Sequence, residues 1–107
     1  ALEGVDEIFA LHMWPTLPTG VVGFCRGAAM AQPDGFKIVI RGKGGHAAMP
    51  QNCIDPIIIA SQLVVLLQSV VSRSVNPLEP AVLSVTQFHA GSAGNVIPST
   101  AQLTGTV

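Results

Sequence analysis

The sequence predicts an α+β fold of ferredoxin-like type, an antiparallel sheet with a helix on one face. Three observations predict it. FKIVIR, residues 36–41, alternates apolar and polar positions as a half-buried strand does. A long apolar run follows, opened by Asp55-Pro56 and free of internal glycine. Two further strand-like segments then come in succession, each bounded by turn residues. The order is βαββ. The last helix and strand of a full βαββαβ domain are expected beyond Val107, so the domain is expected to be truncated.

The elements follow in order. Glu7–His12, EIFALH, reads as a short buried strand, and MWPTLPTG after it as a loop punctuated by Pro15, Pro18 and Gly20. Val21–Cys25 and Ala28–Gln32 are expected to pair as a hairpin around Arg26-Gly27, and Pro33-Asp34-Gly35 to turn the chain. In the strand Phe36–Arg41, Phe36, Ile38 and Ile40 face one way and Lys37, Val39 and Arg41 the other. One face is therefore packed and the other wetter.

The helix is expected from Pro56 to about Arg73. Asp55 suits the N-cap, Pro56 a first position that needs no amide donor, and Arg73 the negative end of the helix dipole. Asn76-Pro77 and Pro80 close the connection. Ala81–His89 is the next strand, Ala90–Asn95 a small-residue loop, and Ala101–Val107 the final strand. Both chain ends look like strand interiors, so the sequence is expected to be a piece of a larger protein.

At 100° per residue, Ser61, Gln62, Gln68, Ser69, Ser72 and Arg73 share one arc of about 140° of the helix. Ile58 and Val65 fall in the same arc, and no charge occurs between Pro56 and Ser72. A solvated helix face normally carries Lys or Glu. This face is expected to be partly covered by a second subunit or domain. The alternative is two tolerated exposed apolar residues.

Composition narrows the function. Charged residues are 10% and hydrophobic residues 49%, a globular rather than disordered balance. The five Lys and Arg are scattered, net charge is −1, and there is no Tyr, so no nucleic-acid partner is expected. Residues 57–71, interrupted by Ser61, Gln62, Gln68 and Ser69, read as too short and too polar for a membrane span. No basic region precedes an apolar run at the start, so no signal peptide is expected. Cys25 and Cys53 lack CxxC spacing and read as free thiols in a reducing, cytoplasmic setting.

Three histidines and one asparagine are candidates for chemistry. His12 ends a strand before a Pro-rich loop, where a scaffold could aim an imidazole at a metal, although a lone histidine there is more often structural. His46 follows GKGG, where glycines allow close approach of a backbone or substrate, but an exposed turn residue fits as well. His89 ends an alternating strand, facing solvent or an interface, with no catalytic role. Asn95, in AGNVIP, either holds a turn or offers its amide to a carboxylate or carbonyl. GKGG does not match a P-loop. The chain contains no GxSxG elbow, no paired carboxylates and no complete active site.

ALHMWPTLPTG, GKGGHAAMPQNCIDPI and AGSAGNVIPST, in this order and separation, together resemble the metal-dependent peptidase and amidohydrolase family. The look is nearest to its hippurate hydrolase and N-acyl-amino-acid amidohydrolase branch, and it covers essentially the whole chain. The resemblance implies a catalytic domain with two divalent metals, zinc or else manganese, cobalt or nickel. It also implies an inserted lid or dimerisation domain. Residues 1–34 would be the exit segment of the catalytic domain and residues 35–107 the lid, incomplete at its C-terminus.

Residue by residue, His12 matches a metal ligand of the complete enzyme. His46 matches the lid histidine that stabilises the oxyanion in the opposite subunit, and Asn95 a substrate-contacting asparagine. Ser99 stands where the family often has Asp. The reaction implied is hydrolysis of the amide of an N-acyl amino acid. The upstream metal motif, the general-base glutamate and a later histidine ligand are absent, so this chain alone is expected to bind no metal pair and to be inactive. The helix 56–73 and strand 81–89 are expected to form a homodimer interface. A free-standing ferredoxin-like module for a small ligand is the alternative.

Overall fold

The computed structural model describes residues 3–107, and the chain divides into two units, Ala1–Ala31 and Gln32–Val107. In the first unit, no strand forms among the described residues. The expected strand Glu7–His12 and the expected hairpin Val21–Cys25 with Ala28–Gln32 are both absent, and this corrects the sequence reading. The backbone bends instead through turns, with the Leu17 amide donating to the Trp14 carbonyl at 3.1 Å and Val21 to Pro18 at 3.1 Å. A strand exists only when its amides and carbonyls find a ladder partner. EIFALH has the pattern of a buried strand but no such partner, and Phe9 and Leu11 stand 88% and 85% exposed.

The second unit carries the expected α+β architecture. Its strands are β1 (Gly35–Arg41), β2 (Gly45–His46), β3 (Ser84–Ala90), β4 (Val96–Ile97) and β5 (Thr100–Thr106), with helix α1 (Pro56–Ser69) between β2 and β3. The main sheet has the order β1-β5-β3 and is antiparallel throughout, while β2 and β4 form a separate antiparallel ribbon. β1 pairs with β5 from Gly35↔Thr106 to Arg41↔Thr100. The predicted facing of β1 holds, with Phe36, Ile38 and Ile40 half-buried and the intervening residues exposed.

β3 begins at Ser84 rather than Ala81. Its partner β5 ends at Thr106, opposite Ser84, so residues 81–83 have nothing left to pair with. The register shifts between Val85 and Gln87. Without that bulge, Val85 and Phe88 would lie on opposite faces, being three residues apart. With it, they pair with Gly105 and Leu103 and so share the helix side. His89 pairs with Gln102 and therefore belongs to the other face.

α1 starts as the sequence predicts. The Ile57 amide donates to the Asp55 Oδ1 at 2.8 Å, and Pro56 occupies the first turn. Pro56 and Ala60 are buried; Ala60 joins Ala101 and Leu103 in a core flanked by Ile38, Ile40, Leu63, Val64 and Val85. The predicted outer arc is exposed in full, from Ile58 to Arg73. A π turn, Val70–Ser74, continues the helix to a 19-residue length with mean hydropathy 1.6. Length and composition alone thus reach the minimum for a bilayer crossing, contrary to the reading of residues 57–71 as too short and too polar. The added turn supplies the length. In the single chain, α1 packs on the sheet through Pro56 and Ala60, with Leu63 and Val64 partly buried beside them.

Candidate functional site

The β2–β4 ribbon gathers two of the predicted site residues. Gly45 pairs with Ile97 and His46 with Val96. One residue further on, the Ala47 amide donates to the Asn95 carbonyl at 3.0 Å. His46 and Asn95, 49 positions apart in the chain, are thereby brought onto the same short ribbon, both exposed, with His46 opposite Val96 and Asn95 opposite Ala47. The Asn95 backbone carbonyl accepts across the ribbon, and its side chain is exposed.

The segment around His46 is closed on itself. Lys43 and Ile54 exchange both backbone hydrogen bonds at 2.9 Å, and the Gly42 amide donates to the Ser99 carbonyl at 2.8 Å. Between them the Met49 amide returns to the His46 carbonyl at 2.9 Å, and a 3-10 turn, Pro50–Asn52, leads to Cys53. Ser99 thus contributes its backbone to the base of the loop.

The imidazole of His46 has a defined orientation. The Ala48 amide donates to its Nδ1 at 3.1 Å. A backbone N–H is only a donor, so Nδ1 must be the acceptor, and the neutral ring carries its proton on Nε2. An outward Nε2–H is the form suited to meet a developing negative oxygen.

His12 has the opposite arrangement. Its Nδ1 lies 2.7 Å from the Met13 carbonyl, an acceptor only, so Nδ1 holds the proton and Nε2 keeps a lone pair. Trp14 meets the ring edge-on, with centroids 5.8 Å apart. This tautomer fits a single metal ligand. Among the described residues, no group of three or more His, Cys, Asp and Glu comes together to hold a metal ion. Cys25 and Cys53 are free thiols.

Sequence reasoning missed the β2–β4 ribbon and the part played by Cys53. The GKGG run was the available signal, since repeated glycine marks close backbone approach as well as turns.

An antiparallel sheet with one helix on it and a histidine-bearing ribbon beside it define an α+β domain of truncated ferredoxin-like type. Residues 34–107 match the peptidase dimerisation domain, and the chain belongs to that family. Over 106 residues it is 52% identical to an N-acetylcysteine deacetylase of Bacillus subtilis, covering 99% of this chain and 28% of that protein. It is 53% identical over 106 residues to an N-acyl-L-amino acid amidohydrolase of Geobacillus stearothermophilus, covering 99% and 29%. A solved structure from methicillin-resistant Staphylococcus aureus, described as an aminohydrolase, superposes with a TM-score of 0.67 at 35% identity, covering 69% of this chain and 19% of that one. The chain therefore spans under a third of the length of these curated relatives, which are hydrolases.

Proposed function

We propose that this chain is the dimer-forming, site-closing part of a metal-dependent amidohydrolase that cleaves the amide of N-acyl amino acids, hippurate-type substrates among them. The observation that carries the reading is exposed His46 on the β2–β4 ribbon that also carries Asn95 at its end, with Nδ1 of His46 accepting from the Ala48 amide. Relatives named for deacetylation and acyl-amino-acid hydrolysis support the substrate class.

Hydroxide adds to the amide carbonyl carbon, and the carbonyl π pair moves onto oxygen. His46, reaching into the opposite subunit, donates Nε2–H to that oxyanion. Asn95 holds the substrate beside it. Collapse of the adduct re-forms the carbonyl and breaks the C–N bond, and the leaving nitrogen takes up a proton. The products are a carboxylate and a free amino acid. Two divalent ions, zinc or manganese, cobalt or nickel, would supply an acidified water and polarise the carbonyl. His12 would be one of their ligands. A cytoplasmic setting accords with the two free thiols.

The homodimer forms through the outer side of α1 and the free edge of β3. That helix side exposes Ile58, Val65 and Leu66. β3 is an edge of the main sheet, where a second copy can continue the ladder.

The test uses the full-length enzyme that contains this chain. His46→Ala should lower kcat by about 10²–10³-fold with bound metal retained. Metal loss in that variant would make His46 a ligand and overturn its assignment. Mixed dimers of His46→Ala and His12→Ala subunits should regain about a quarter of wild-type activity, because random pairing leaves one intact site in half of the dimers. No recovery would place His46 in its own subunit's site.

A further inference from the structure

We infer that Gly45 and Cys53 are positioning residues for His46, fitted to each other so that the β2–β4 ribbon closes in one place. The glycines of GKGG do not provide left-handed turns. The glycines at positive φ are Gly4, Gly20, Gly27 and Gly91, and neither Gly44 nor Gly45 is among them. Their requirement is space. A methyl group added to Gly44 would lie 2.6 Å from the Ile97 carbonyl oxygen, on the backbone of β4 and the residues after it. One added to Gly45 would lie 2.6 Å from the Cys53 Sγ, and no other heavy atom would come within 4 Å of it.

The two glycines are therefore barred by different objects. Gly44 is barred by backbone that cannot be trimmed, and Gly45 by one sulfur that can. Cys53 is half-buried, its thiol donating to the Met49 carbonyl at 3.6 Å, and it leads directly into the Lys43–Ile54 bridge. Its sulfur thus occupies the space that a side chain on Gly45, next to His46, would need. A side chain there must displace either the sulfur or β2, and a shift of β2 disturbs the pairing of His46 with Val96 and of Ala47 with Asn95. The small residues before His46 thus supply room for close packing at Cys53 and Ile97.

The positioning role stands on the chain itself, while its consequence for catalysis rests on the reading of His46 and Asn95 given above. The two are measured separately. In the 107-residue chain, Gly45→Ala should speed hydrogen exchange at the Ala47 amide by about tenfold or more, the scale of overpacking a tight contact. It should also move the His46 Nδ1 ¹⁵N resonance as the Ala48 contact loosens. Gly45→Ala/Cys53→Ala should restore both to within about twofold, since removing the sulfur clears the space. Gly44→Ala/Cys53→Ala should not recover, because its obstacle is backbone. Wild-type exchange in Gly45→Ala, or no recovery in the Gly45 double variant, overturns the inference. In the full-length enzyme, Gly45→Ala should lower kcat more than it changes KM, with kcat regained in the same double variant. Exchange that responds as expected while kcat stays flat would refute the catalytic reading of His46 and leave the positioning role standing.

Discussion

Val65 tests the dimer most directly. It lies at the middle of the outer arc of α1 and is 71% exposed in the single chain. Val65→Ala removes two methyl groups, each worth about 0.8 kcal/mol when buried. Scaled by the exposed fraction, a partner covering this position gains about 1.1 kcal/mol per subunit from them. A two-fold interface counts the loss twice, giving about 2.2 kcal/mol, or about a 40-fold weaker dimer. The same change should not weaken the monomer, because Ala is the better helix former. Sedimentation equilibrium over a range of concentrations reads the dimer constant, and urea denaturation reads the monomer. Val65→Lys should abolish association, since it would bury an unpaired ammonium. A wild-type chain that stays monomeric at high concentration, or a Val65→Lys chain that still dimerises, would refute the reasoning.

Two further predictions concern the fold. Leu103 is fully buried between the sheet and α1, so Leu103→Ala should cost about 2–5 kcal/mol, whereas Leu103→Met should cost less than about 1.5 kcal/mol. Equal urea midpoints for the two would contradict this account of the core. Asp55→Ala removes the acceptor of the Ile57 amide and should cost about 1 kcal/mol, while Asp55→Asn, an equally good cap, should recover most of it. Should Asp55→Asn prove as damaging as Asp55→Ala in the same assay, the cap is not what starts this helix.

Much of the second unit was legible because its signals are local. The Asp55-Pro56 start needs only the first turn of the helix. The facing of Phe36, Ile38 and Ile40 needs only the period of a strand. The outer arc of α1, bearing Ile58 and Val65 with no charge before Arg73, needs only 100° geometry, and its residues are exposed in the single chain. The misses are equally physical. EIFALH satisfies a strand pattern, but a pattern cannot provide the second strand that would hold it. The start of β3 was misplaced by three residues because β5, not β3, decides where the ladder ends. Thr86 gave no sign of a bulge, which became visible only when Val85 and Phe88 were found on one face.

By itself, the sequence determined the βαββ order and the capped helix with no charge on its outer side before Arg73, while its resemblance to the amidohydrolase family pointed to His12, His46 and Asn95. It could do so because caps, periods and turns act over a few residues. Only the tertiary structure decided that His46 and Asn95 share one ribbon and that Nδ1 of His46 accepts from the Ala48 amide, leaving the proton on Nε2. It also decided that the glycines before His46 make room for a sulfur and a carbonyl. Those outcomes depend on residues 45–46 meeting residues 96–97 across the intervening helix and strand. No local rule sets that meeting, because it is fixed by the sheet register and by which atoms are small enough to touch.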